Sequence, residues 1–365
     1  MQDNKKMSEN FLSLADHRVK TMEYNYDLVS GNVHRMSVQT GEADQWHHVY
    51  SYDADNRITE VHTSTQTPMI NISMPASFIA NEITENPSIW DLEAKYFYYA
   101  HGPLARTELG DQLQGLDYIY NLQSLSRCIF SRLLTIGEKP KKIYIGSWLK
   151  GINATSLDKT IDPGKDGQLN HPNKLFSKDV MAFSLHYYEG DYKPIGGTAL
   201  NPAYGIDYAN TTLNSGVGNA LNLYNGNIRF MQTTLTKIDD GTPMPMLNAY
   251  KYDQLNRLLE ARSYESELSG NTWSPTGYNN EYFNKFTYDA NGNILTQKRH
   301  LRNGTQTDDL TYHYLLENGK LVRNRLYHVN DAIAGATYVG DLEDQGSIIN
   351  TSQEDFETLN NYKYD

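Results

Sequence analysis

The sequence predicts an all-β protein, a large antiparallel sheet built from successive β-hairpins. Three observations carry that prediction. The aromatic residues are dominated by tyrosine, with 28 Tyr against 10 Phe and 4 Trp. Tyrosine favours strands, and its polar tip must stay wet or find a hydrogen bond. A short frame recurs along the chain: aromatic-x-Tyr-Asp, a polar gap, Gly or Asn, then Asn or Arg, then an aliphatic residue. Finally, only 39% of residues are hydrophobic and the mean hydropathy is −0.64. That balance suits thin sheets with at least one wet face better than a thick dry core. Length alone, 365 residues, would suggest two or three domains. The repeat argues instead for one interrupted array over residues 21–365, after a polar leader over residues 1–20.

In chain order, Tyr24-Asn25-Tyr26-Asp27 precedes Gly31-Asn32-Val33, with one extra residue in the gap. Tyr50-Ser51-Tyr52-Asp53 precedes Asn56-Arg57-Ile58. Tyr250-Lys251-Tyr252-Asp253 precedes Asn256-Arg257-Leu258, and Phe286-Thr287-Tyr288-Asp289 precedes Gly292-Asn293-Ile294. Weaker copies are Tyr96-Phe97-Tyr98 with Gly102 and Leu104, Tyr118-Ile119-Tyr120, and Tyr312-His313-Tyr314 with Gly319 and Leu321. The chain breaks off at Tyr362-Lys363-Tyr364-Asp365, inside one more copy, which predicts a fragment of a longer polypeptide.

The frame has a direct physical meaning. Aromatic-x-aromatic spacing is period two, so both rings face the same side of a strand. Asp opens a turn because its carboxylate can accept from backbone N–H groups two residues on. Gly or Asn follows because a tight hairpin needs a left-handed backbone. The aliphatic residue starts the return strand. A single hairpin is marginal in water, so successive hairpins are expected to pair side by side. The spacing is uneven, which points to hairpins of unequal length with inserted loops. One irregular insert runs from Pro68 to Pro87, and residues 148–249 hold degenerate strands with long polar loops at Asp158 to Lys178 and Gly196 to Gly218.

Residues 124–147 are a second interruption. They contain Arg127, Arg132, Lys139, Lys141 and Lys142 against Glu138 alone, and the sole cysteine, Cys128. This segment is a surface hairpin or helix, an unselected insertion, or a basic contact site.

Charge and chemistry exclude several function classes. The net charge of −12 argues against a nucleic-acid partner, which calls for a basic stripe. One cysteine allows no internal disulfide and no multi-cysteine zinc site. The N-terminus lacks the apolar core of a signal peptide, and no stretch is apolar enough for a membrane helix. His47 and His48, the one adjacent histidine pair, would point to opposite faces of a strand. The repeat Asp residues recur in every copy, whereas an active site is needed once, so they are expected to build turns. No nucleotide loop or nucleophile elbow is present. The expectation is no catalytic residue, cofactor or metal. Trp46, Trp90, Trp148 and Trp273 are expected to pack in sheets, with glycan stacking as the alternative.

The Tyr-x-Tyr-Asp frame resembles the RHS/YD-repeat family of bacterial Rhs polymorphic toxins, toxin-complex C subunits and animal teneurins. Tyr98-Tyr99-Ala100-His101-Gly102-Pro103-Leu104-Ala105-Arg106, Gly115-Leu116-Asp117-Tyr118, Trp148-Leu149-Lys150-Gly151-Ile152-Asn153 and Tyr224-Asn225-Gly226-Asn227-Ile228 are similar to the version common in Bacteroidetes. The resemblance runs from about residue 20 to the end. It implies a curved or spiralling segment of an open shell or barrel, in a secreted or cell-surface protein. Its implied partners are the remainder of that shell and an enclosed C-terminal toxin. The alternative it allows is an adhesion protein with a glycan or cell-surface ligand. The chain departs from the family at the core cleavage motif. Its nearest string, Asp162-Pro163-Gly164-Lys165, lacks the flanking aromatic and the Gly-Arg, and is expected to be a turn.

Overall fold

The structure is a computed structural model of the chain. It describes residues 6–9, 20–66, 83–84, 87–124, 145–188, 191–192, 222–267, 272–273, 280, 282–317 and 320–333. The protein is all-β, and the paired strands are antiparallel. The chain packs as two compact units.

The first unit comprises Met1–Ile119, Gln123–Ser147 and Asp158–Asp179. Its strands are β1 (Lys6–Glu9), β2 (Lys20–Tyr26), β3 (Val33–Val38), β4 (Trp46–Tyr52), β5 (Ile58–Ser64), β6 (Asp91–Tyr98), β7 (Leu104–Leu109) and the start of β8 (Gln114–Ser124). Each pairs with the next in a meander. Residues 6–9 of the expected leader are therefore a strand. The segment Asp158–Asp179 carries no strand and runs through a series of turns.

The second unit comprises Tyr120–Leu122, Trp148–Leu157 and Val180–Asp365. Here β9 (Ile145–Ile152) pairs with β10 (Met181–His186), and β10 with β11 (Phe230–Thr236). The meander continues through β12 (Pro243–Tyr252) and β13 (Leu258–Glu267). A two-residue strand, β14 (Thr272–Trp273), pairs with one end of β13, and β15 (Asn284–Tyr288) with the other. From β15 the ladder runs through β16 (Ile294–His300) and β17 (Gln306–Glu317) to β18 (Lys320–Asp331). Among the described residues no ladder closes this sheet.

Burial follows the strand period. In β11 and β12 buried and half-buried positions alternate. Phe230, Leu247 and Ala249 are fully buried at that point, as is Ala182 of β10. In the first unit Val49 and Trp90 form a small cluster with Ile83 and Ile89. The buried faces are otherwise largely polar. Ser37 and His47 in the first unit, and Gln232, Thr234, Asp308 and His328 in the second, are as inaccessible as the core hydrophobics. Gly151 is required by close approach, since a Cβ there would lie 2.6 Å from the Phe183 carbonyl oxygen on the paired strand.

Candidate functional site

Three of the clear repeats form the same turn, and the one at Asp27 forms a version one residue longer. The Asp53 N–H donates to the Arg57 carbonyl and the Asn56 N–H donates to the Asp53 carbonyl, at 2.9 and 3.1 Å. The Asp53 carboxylate accepts from the N–H groups of Asp55 and Arg57 at 2.9 and 3.0 Å, and from Arg57 Nε at 2.7 Å. Asn56 has φ +62°, the left-handed conformation the spacing requires. The Asp253 turn repeats this, with Leu255 and Arg257 as donors and Asn256 at φ +64°. At Asp289 the donors are Asn291 and Asn293, and Gly292 takes φ +92°. Asp27 uses the N–H groups of Val29 and Ser30 and the Ser30 hydroxyl, and Gly31 takes φ +77°. These donors hold the carboxyls below their ordinary range, the Arg57 side chain first for Asp53 and the Ser30 hydroxyl first for Asp27.

The second tyrosine of the frame has a specific role. Its hydroxyl donates to the carbonyl of an aliphatic residue at the start of the preceding return strand or, for Ile228, two residues before it. Tyr52 reaches Val33 at 2.7 Å, Tyr98 reaches Ile58 at 2.8 Å, and Tyr252 reaches Ile228 at 3.0 Å. Tyr288 reaches Leu258 at 2.7 Å and Tyr314 reaches Ile294 at 3.0 Å. Each bond ties one hairpin to its predecessor. A register shift just before this tyrosine recurs at Tyr26, Tyr52, Tyr98, Tyr252, Tyr288 and Tyr314. Such a bulge re-aims the side chain it precedes. Burial raises the phenol pKa of Tyr52, Tyr98 and Tyr288, and pushes that of Tyr252 up to about 12.

The turns are also linked sideways. The Arg57 guanidinium lies 4.5 Å over the Tyr98 ring, and that of Arg257 lies 4.8 Å over Tyr288 while donating to the Asp289 carbonyl at 2.7 Å. Asn32 donates to Asn56, Asn225 and Asn227 donate to Asn256, and Asn291 and Asn293 donate to Asn324. The repeat residues Tyr24, Tyr26, Tyr50 and Tyr250 share strand faces with these groups, and Tyr24 stacks on Tyr26 at 5.9 Å. Tyr362, Tyr364 and Asp365, residues 125–144 of the basic insert, and the Gly196 to Gly218 loop lie outside the described residues.

The second unit holds a buried charge cluster around Lys150. Its ammonium donates to both Asp191 carboxylate oxygens at 2.7 and 3.0 Å and to His186 Nδ1 at 3.1 Å. His186 Nε2 lies 2.9 Å from the Ser184 hydroxyl. An ammonium has only donors, so His186 Nδ1 must accept and Nε2 must carry the proton. The imidazole therefore donates to Ser184 and cannot take its proton. Burial lowers the pKa of Lys150, opposed by Asp191, and burial first and then the Lys150 charge hold that of His186 well below its ordinary value.

The first unit holds the larger cluster. Arg106, on β7, donates from Nε to Glu108 at 2.9 Å, from one terminal nitrogen to Asp117 at 2.7 Å, and from the other to Asp166 at 2.7 Å. Asp117, Asp162, Asp166 and Asp179 are all buried. One carboxylate oxygen each from Asp117, Asp162 and Asp166 lies within 4.8 Å of the others. Gln114 Nε2 donates to Asp179 at 3.0 Å. Burial opposes the Arg106 charge, but Asp166, Asp117 and Glu108 hold its pKa up. Burial raises the carboxyl of Asp117 to about 6, and raises Asp166. Asp179 rises too, through burial first and then its neighbour Asp162.

Neither cluster was identified from sequence as a site. Lys150 and Asp117 lie in segments that drew attention as motifs, but their partners come from distant positions. Asp162 does sit in a turn, with the Lys165 N–H donating to its carbonyl at 3.3 Å, yet its side chain is buried. His47 and His48 do face opposite ways: His47 is fully buried against the Ser37 hydroxyl, while His48 stacks on Tyr50 and lies tilted against Trp46. Trp90 is core, Trp148 packs on Tyr187 at 4.9 Å, and Trp46 is exposed.

No family model and no curated protein matches the chain. Solved structures with similarity include two toxin-complex assemblies and a porin-like protein. "Crystal Structure of TcdB2-TccC3-TEV" matches over 86% of this chain and 11% of that chain, at 13% identity and TM-score 0.29. The Photorhabdus luminescens Tc holotoxin pore matches over 88% of this chain and 15% of that chain, at 14% identity and TM-score 0.20. A porin-like protein from Bacteroides uniformis matches over 86% and 96% of the two chains, at 9% identity and TM-score 0.17. The chain thus spans 11–15% of the length of the toxin chains it is similar to.

Proposed function

We propose that this chain is a non-catalytic wall segment of an RHS/YD-repeat shell, within a larger secreted or surface-delivered assembly that encloses a toxin. One observation carries the reading: the tyrosine-to-carbonyl bond from each hairpin to its predecessor recurs at Tyr52, Tyr98, Tyr252, Tyr288 and Tyr314. A lock repeated along the chain serves continuity of a wall, and the same contact would be redundant in a single active site. The His186 tautomer agrees, since it leaves Ser184 unactivated. The experiment is electron microscopy and limited proteolysis of the full-length gene product. The expected result is a hollow particle whose enclosed segment resists protease until the shell is opened. An elongated particle with all segments equally cleavable overturns the reading.

A second reading, surface adhesion through carbohydrate binding, is favoured by one feature. A groove of about 340 Å³ in the second unit is lined by Leu235, Met244, Pro245, Tyr282, Lys237 and Arg302. An exposed tyrosine ring beside cationic groups suits a sugar face. Saturable glycan-array binding that is lost in Tyr282→Ala would support it; an array with no binding would sink it.

A further inference from the structure

We propose that Asp162, Asp166 and Asp117 hold a divalent cation of the calcium type, in a site that couples the Asp158–Asp179 segment to strand β8. This inference is independent of the shell reading.

The segment Asp162-Pro163-Gly164-Lys165-Asp166-Gly167 has acidic groups at the first and fifth positions and glycine at the sixth. That is the spacing of an oxygen-ligand calcium loop, in which the sixth residue must turn sharply. Gly167 has φ +70°, as such a turn requires. The third position, where such loops carry a ligand, is Gly164 and has no side chain. Its space is taken by another group: a Cβ built on Gly164 would fall on the Asp117 carboxylate and on Arg106. Asp117 is thus inserted from β8 at the place where the loop lacks its own ligand. On the far side, a Cβ on Gly115 would collide with Asp166 and Arg106, so β8 has no side chain there either. Both glycines make room for carboxylates.

An acidic cluster alone would not specify a ligand. What does is the pair of oxygens left over. Arg106 takes one oxygen of Asp117 and one of Asp166. Asp162 Oδ1 and Asp166 Oδ2 are inaccessible and have no hydrogen-bond partner among the described residues. Asp162 is 3% exposed and Asp166 1% exposed. A buried carboxylate oxygen without a donor is costly, and one cation can satisfy both. Arg106 is already committed to Glu108, Asp117 and Asp166, so its single charge faces five carboxylates counting Asp162 and Asp179. Oxygen-only donors select a hard cation, and the irregular loop, with no octahedral frame, favours Ca²⁺ over Mg²⁺. Asn173, at the twelfth position, donates from its side-chain nitrogen to the Gly164 carbonyl at 2.8 Å, which ties the two ends of the loop together.

The test is calorimetric titration of chelator-stripped protein with CaCl₂, repeated with MgCl₂, and hydrogen exchange with and without Ca²⁺. The expected result is saturable Ca²⁺ binding with a raised melting temperature, weakened by ~10–100-fold or more in Asp162→Asn and in Asp166→Asn. Asp239→Asn, in an exposed turn of the second unit, should bind as wild type. Added protection in the wild type should fall on residues 158–179 and 114–119, a readout that does not depend on whether the variants fold. Absence of saturable binding at millimolar Ca²⁺, binding unchanged in Asp162→Asn, or added protection elsewhere in the chain overturns the proposal. Equal affinity for Mg²⁺ overturns its calcium character.

Discussion

At the second tyrosine of five repeats, Tyr52, Tyr98, Tyr252, Tyr288 and Tyr314, a phenol reaches a backbone carbonyl of the preceding hairpin. This is why the frame needs tyrosine there and accepts phenylalanine at the first aromatic position, as Phe286 shows. Tyr252→Phe keeps the ring and removes the bond to Ile228, so it should cost about 1 kcal/mol in denaturant unfolding. Tyr250→Phe should change stability by less than about 0.5 kcal/mol. The same bond predicts alkaline sensitivity. The Tyr252 phenol has its pKa raised to about 12, because burial penalises the phenolate. A raised folded pKa gives stability that is complete below the unfolded value, about 10, and lost as pH rises toward the folded one. Phenolate absorbance and unfolding should therefore rise together between those two values. On the acid side, burial first and then Arg35 lower His47 to about 4. Its neutral form stabilises the fold above its unfolded pKa, about 6.5, and that contribution disappears as pH falls through the folded value. His47→Gln should flatten the acid limb of the stability profile.

Within a single hairpin, the turn and the ladder impose separate demands, and substitutions should separate them. Among the described residues Gly292, at φ +92°, has no neighbour within 4 Å of an added Cβ, so Gly292→Ala should meet backbone strain alone, about 1 kcal/mol. Asn256→Gly keeps the left-handed backbone and loses only the side-chain links to Asn225 and Asn227. It should melt close to wild type, whereas Asn256→Val should melt well below it. Gly151→Ala is a different case, because the obstacle is the Phe183 carbonyl on the paired strand. That variant should lose amide protection along β9 and β10 while the β15–β16 hairpin keeps its own. The turns were legible in the sequence because every contact in them is local. The carboxylate, its backbone donors and the left-handed residue all fall within five positions. The register shift at the second tyrosine was not legible, since a bulge is defined by two strands together.

For the whole chain, exchange rates should follow burial. Amides around Phe230, Leu247 and Ala249 should exchange slowest, and those of β18, paired on one side only among the described residues, faster. A measured order that placed β18 with the slowest group would contradict the buried centre assigned to β11 and β12. The all-β class, the hairpin unit and its turn chemistry were determined by the sequence itself, because period-two aromatics and Asp-led turns are local physics. The polar character of the buried faces was only hinted at by the tyrosine excess and low hydropathy. The tertiary structure alone decided two further things. It showed that the tyrosine hydroxyls are committed to the carbonyls of preceding hairpins. It also showed that Asp117, Asp162, Asp166 and Arg106 meet, although Arg106 and Asp166 are 60 residues apart in sequence. The physical reason is the same in both cases. A side chain's partner across strands depends on register and loop packing, and neither is encoded at a fixed spacing along the chain.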